Sequence, residues 1–111
     1  MAHLTVNGVE IETDKEGYLK CLADWSVPVA ESIAEQEGIQ LSAAHWEILE
    51  LIKQFYRQFD HAPNMRALVT YTRQQLGEDK GKSIYIMTLF PGSSAKIAAK
   101  IAGLPRPTHC L

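Results

Sequence analysis

Apolar and polar residues alternate at the start of the chain, in Leu4-Thr5-Val6 and Val9-Glu10-Ile11, about the pair Asn7-Gly8. Alternation with a period of two marks a strand with one face on a core. Asn-Gly tolerates the positive φ angles that a two-residue type I′ turn requires. The pattern predicts a β-hairpin, and because an isolated hairpin is marginal in water it must lay one face on helices. Residues 15–25 are weakly patterned, with a possible short helix around residues 18–22 in which Cys21 reads as a small core or boundary residue.

From Ser26 the period lengthens to that of a helix. Ser26 is placed to cap a helix with Pro28 in its first turn, Val29, Ile33 and Ala34 at core spacing, and Gly38 as its end. Leu41 and Trp46 flank Ser42 as a hydrophobic staple, which makes Ser42 the strongest helix start in the chain. Trp46, Leu49, Ile52, Tyr56 and Phe59 then recur at helical spacing, and Ile48, Leu51 and Phe55 widen the stripe. This predicts a central helix that is apolar around most of its circumference, with His45 in its first turn as a structural or surface residue.

Asp60-His61-Ala62-Pro63 breaks that helix. Pro63 suits the opening turn of the next, which runs through Met65, Leu68, Val69, Thr72 and Leu76 to Gly77. Two helices joined by a short turn have the outline of a helix-turn-helix, so a DNA-binding regulator is one reading of residues 43–76. Its candidate recognition helix offers only Arg66 and Arg73, and the sequence pI is near 6.0. Residues 83–90 are rich in β-branched and aromatic side chains, which favours a strand, while their length allows two helical turns. Pro91 and Gly92 stop this element, and Ser93 or Ser94 can cap a last helix ended by Gly103.

At 111 residues the chain is long enough for one domain with a core of its own. No apolar run approaches the ~18 residues needed to cross a bilayer, and the N-terminus does not have the form of a signal peptide, so a cytoplasmic location is expected. The net charge of −2 conceals an asymmetry. Residues 1–50 carry ten acids against Lys15 and Lys20, or −8, whereas residues 51–111 carry nine bases against Asp60, Glu78 and Asp79, or +6. The two halves either attract each other within the fold or steer an acidic partner to the second. Histidines 3, 45, 61 and 109 and the two cysteines show no metal-ligand spacing, and there is no glycine-rich phosphate loop, so neither metal nor cofactor is expected.

The last eight residues, Leu104-Pro105-Arg106-Pro107-Thr108-His109-Cys110-Leu111, read differently. Two prolines fix φ and remove two backbone donors, predicting an extended, solvated, mobile arm over residues 104–111 beyond a domain of residues 1–103. Fully stretched, it would reach about 26 Å. A thiol on such an arm is exposed to oxidants unless reactivity is its purpose, which makes Cys110 the candidate nucleophile. Near pH 7.5 only about a tenth of an ordinary cysteine is thiolate. The carboxylate of Leu111 lowers that share, while Arg106 and a protonated His109 oppose it only through solvent. Cys110 is therefore expected to be activated by the pocket it enters, as suits a carrier.

The tail from Lys100 to Leu111, with its penultimate cysteine after Ala-Gly-Leu-Pro, resembles the TusE/DsrC family of sulfur-carrier proteins. So do Thr13-Asp14-Lys15-Glu16-Gly17-Tyr18-Leu19, Leu41-Ser42-Ala43-Ala44-His45-Trp46-Glu47, Ala62-Pro63-Asn64-Met65-Arg66-Ala67-Leu68-Val69 and Leu89-Phe90-Pro91. The resemblance implies a mainly α (α+β) fold: an N-terminal β-hairpin on a helical core with a helix-turn-helix-like arrangement and a flexible C-terminal arm, with residues 83–90 helical. It implies that Cys110 carries sulfur. The DsrC branch, which partners a sulfite-reductase-type complex, has a second arm cysteine with ten residues between it and the penultimate one, and here that position is Ala99. A lone Cys110 is similar to the TusE branch, in which a persulfide arrives from the TusBCD complex and passes to the thiouridylase MnmA for 2-thiouridine in tRNA. Two departures are Ser93-Ser94, where the family often has Gly-Pro, and His109, where DsrC proteins usually have glycine.

Overall fold

A computed structural model describes residues 3–107. Two strands, β1 (His3–Val6) and β2 (Val9–Glu12), pair antiparallel with Leu4 opposite Ile11. Asn7 and Gly8 take φ of 51° and 81°, the positive pair that the hairpin turn needs. Leu4 and Ile11 are the buried face, and β1 rests on the first helix.

Five helices follow: α1 (Val27–Gln36), α2 (Ala43–Phe59), α3 (Met65–Leu76), α4 (Ser83–Leu89) and α5 (Ser94–Ile101). Ser26 accepts the Val29 N–H as the cap of α1, and Pro28 occupies its first turn. Gly38, at φ 75°, closes α1 by letting the Ile39 N–H return to the Ala34 carbonyl. α2 is the central helix and packs against α3 and α5. Its buried positions are Ile48, Leu49, Leu51, Ile52 and Phe55, so the core stripe is rotated from the expected one and Phe59 is left 46% exposed.

The start of α2 is held by His45. Its Nδ1 accepts the Ser42 backbone N–H at 3.1 Å, which leaves Nε2 as the protonated nitrogen that donates to the Leu89 carbonyl at 2.8 Å. The ring also stands edge-on to Phe90. His45 is thus structural, tying the start of α2 to the end of α4.

Several expectations are corrected. Within residues 83–90, Ser83–Leu89 are helical, as the family resemblance implies and against their strand propensity. The only sheet among the described residues is the hairpin, so a strand here would leave its backbone groups unpaired. As a helix the segment buries Ile86, and the Thr88 hydroxyl donates to the Ile84 carbonyl one turn back. Residues 18 and 19 are not helical: Tyr18 and Leu19 are buried, and Leu19 bridges to Thr13. The short helix there is a 3₁₀ turn, Leu22–Asp24, that buries none of its residues. Pro63 precedes the cap of α3 instead of opening the helix, because Asn64 is the residue whose side chain accepts the Ala67 N–H. Ser93 takes the cap position of α5 without a side-chain cap bond, while buried Ser94 donates its hydroxyl to the Phe90 carbonyl.

Candidate functional site at the C-terminal segment

Cys110 and His109 lie outside the described residues, so the site is built from the ground on which they are mounted. α5 ends in a Schellman motif: the Gly103 N–H returns to the Lys100 carbonyl and the Leu104 N–H to the Ala99 carbonyl, with Gly103 at φ 77°. The chain leaves this helix end clamped by side chains from the N-terminal half. The Trp25 indole N–H donates to the Ile101 carbonyl at 2.9 Å, and the Tyr18 hydroxyl donates to the Lys96 carbonyl at 3.2 Å. Lys100 pairs with Glu37 at 3.1 Å across a largely covered contact and faces the Tyr18 ring. Gly103 is pressed against the indole so closely that an added Cβ would lie 2.3 Å from Trp25 Cδ1.

Of the stretch expected to be a solvated arm, residues 104–107 form neither helix nor strand, with Pro105 and Arg106 exposed, but Leu104 and Pro107 are packed on the body. Leu104 and Pro107 are buried, and Arg106 between them is paired with Glu16. Burial follows from the Schellman turn, which points the residue after the glycine back at the helix and gives Leu104 a hydrophobic contact there. Residues 16 to 25 flank this segment, with Glu16 touching it at Arg106 and Trp25 at Gly103.

Three further observations bear on chemistry. Ala99 is fully buried within α5, so the position at which the DsrC branch has its second cysteine is helix interior here and carries no thiol. Cys21, expected in the core or at its boundary, is instead exposed and free at the start of the 3₁₀ turn. Lys53 lies over the face of Trp25; burial pushes its ammonium below the ordinary lysine value, Glu50 opposes that fall and Arg57 adds to it. Trp25 and Glu16 were not singled out from sequence, and the marker for Trp25 was only its place next to the capping Ser26.

Part of the charge asymmetry is used within the fold. Three ion pairs each join a base of the second half to an acid of the first: Lys80 to Glu47, Lys100 to Glu37 and Arg106 to Glu16. In the helix-turn-helix-like pair, α2 is buried on several sides and the exposed cations of α3 are Arg66 and Arg73. No group of three or more metal-ligating side chains is found among the described residues, and no helix there is long and apolar enough to cross a membrane.

The family model described as DsrC like protein matches residues 5–111, through Cys110. The chain belongs to the DsrC-like family. Among its curated relatives, a protein of Escherichia coli strain K12 named Sulfurtransferase TusE is 50% identical over 108 residues, covering 97% of this chain and 99% of the relative. Among solved structures, DsrC of Allochromatium vinosum superposes with a TM-score of 0.88 at 38% identity, covering 98% of this chain and 97% of that one. The oxidized γ-subunit of the dissimilatory sulfite reductase of Archaeoglobus fulgidus gives 0.85 at 33% identity, covering 99% and 100%. The DsrC-like fold of hairpin and five helices thus ends, in this chain, in a pinned segment that leads to a single cysteine.

Proposed function

We propose that this protein is a sulfur carrier in which Cys110 holds a persulfide and relays it between partner proteins. The Cys110 thiolate attacks the outer sulfur of a donor persulfide. The donor S–S bond breaks, the donor leaves as thiolate, and Cys110 becomes the persulfide. Attack by an acceptor thiol on that outer sulfur returns Cys110 to thiolate. The two steps mirror each other, and neither needs an outside oxidant or reductant. The observation that carries the reading is near full-length similarity to a protein named Sulfurtransferase TusE, together with a buried alanine at position 99. With no thiol at 99, a disulfide between that position and Cys110 cannot form, which favours relay over a two-cysteine redox switch.

In this reading the donor is a TusBCD-like complex and the acceptor an MnmA-like tRNA thiouridylase, so the product is wobble 2-thiouridine. Activation of Cys110 comes from the partner's pocket, and the residues after Pro107 are the delivery arm. A second reading, trafficking to a sulfite-reductase-type complex, is favoured by the likeness to DsrC structures and disfavoured by Ala99. Affinity purification on the wild-type chain separates the two: a thiouridylase or its donor complex supports relay to tRNA, and a sulfite-reductase-type complex supports the second reading.

A further inference from the structure

The pinned segment sets a geometric limit on any partner. Leu104 and Pro107 are buried and Arg106 is paired, and Cys110 stands three residues after Pro107, a length of chain that cannot span more than about 10 Å. A protein whose pocket takes Cys110 must therefore come against the body of this chain beside residues 103–107.

What it meets there is an exposed turn in which apolar side chains outnumber Lys20, Asp24 and Ser26. None of the nine residues from Lys20 to Pro28 is buried, although Cys21, Leu22, Ala23, Val27 and Pro28 are apolar. Leu22 is 39% exposed and Val27 50%. Trp25 lies among them, with its backbone N–H on Leu22's carbonyl and its ring against Gly103, and so fixes this turn to the base of the segment. Lys53 over the indole, with exposed Arg57 one helical turn further along α2, gives the patch a cationic edge. We propose that the exposed turn at Leu22 and Val27, held beside the C-terminal segment by Trp25, seats the apolar, acid-edged rim of the pocket in which a partner protein exchanges sulfur with Cys110.

Other exposed apolar patches are worse placed. Phe59 belongs to the α3 side of α2, where Phe55 meets Tyr71, and Lys53 points away from that side towards Trp25. Ile84 lies on α4, which supplies none of the side chains that clamp the end of α5. The inference rests on the relay reading, and its test keeps the two apart.

Leu22→Asp/Val27→Asp changes only exposed side chains. Its Cys110 should load from inorganic polysulfide at the wild-type rate. The KM for both the TusBCD-like donor and the MnmA-like acceptor should rise about tenfold or more, the scale of losing a central apolar contact, while Ile84→Asp leaves both unchanged. A wild-type KM for either protein, or an equal rise in Ile84→Asp, overturns the inference. Cys21 serves as a second reporter, since its alkylation should slow about tenfold when the acceptor binds. Slow alkylation in the free chain that is relieved by deleting residues 108–111 would put the chain's own end on the patch and also overturn it. Failure of wild-type Cys110 to load from any source is a different result: it removes the relay reading and this inference with it.

Discussion

Gly103 leaves no room for a Cβ beside the indole of Trp25, and its φ of 77° places the chain in the left-handed region. Gly103→Ala meets both constraints at once, the backbone penalty of a side chain there and a methyl driven into the ring. A loss of roughly 2–4 kcal/mol is expected from the sum. Urea unfolding of the variant against wild type checks it, and a loss below about 1 kcal/mol would mean that the indole yields easily.

Trp25→Phe keeps a ring against Gly103 and removes the N–H that satisfies the Ile101 carbonyl. Stability should fall by about 1 kcal/mol. The more telling readout is local, because the Leu104 amide bonded to Ala99 should exchange with solvent faster than in wild type while amides in α2 keep their protection.

Arg106→Met tests how the segment is held. The pair with Glu16 is half exposed on both sides, and such pairs contribute on the order of 0–1 kcal/mol. Apolar burial of Leu104 and Pro107 therefore anchors residues 104–107, and the variant should unfold at nearly the wild-type urea midpoint. A large destabilisation would show that the ion pair is the anchor.

Lys53 supplies a pH test. Its folded value lies below 10.5 because burial disfavours the ammonium, so between that lowered value and 10.5 the unfolded chain binds more protons than the native one. Over that window this group adds stability as pH rises, and Lys53→Met should remove the increment. Lys80 acts in the opposite sense: its hydrogen bond to Glu47 raises its value, so its contribution is present below 10.5 and is lost as pH rises through the folded value. Urea midpoints of wild type and Lys53→Met across the alkaline range check the signs.

Local backbone chemistry made much of the fold legible in the sequence. Asn7-Gly8, Ser26 with Pro28, Gly38 and Gly103 each announce a conformation that neighbours within a few residues decide, and each stands where it was expected. Residues 83–90 were ambiguous because β-branched propensity is a weak local preference, and the choice was made by the lack of any strand to pair with. Trp25 was illegible for a related reason: its hydrogen-bond partner lies 76 positions away. Leu104 and Pro107 are packed, although the prolines of this segment read as an open arm, because the Schellman turn at Gly103 directs the chain back onto the body. Cys21 was misplaced inside because free cysteines are usually buried, whereas the 3₁₀ turn that it opens buries none of its residues. Of the candidate site, the identity of the thiol could be proposed from sequence, but not the clamp that shortens its tether.

The most direct test of the relay is to ask which thiol acquires sulfur. Wild type, Cys110→Ala and Cys21→Ala are each incubated with the donor complex and examined by mass spectrometry of their peptides. One added sulfur atom on the peptide containing Cys110, retained in Cys21→Ala and lost together with transfer to the acceptor in Cys110→Ala, is the expected result. Sulfur found on Cys21 alone, or transfer that survives Cys110→Ala, would contradict the account.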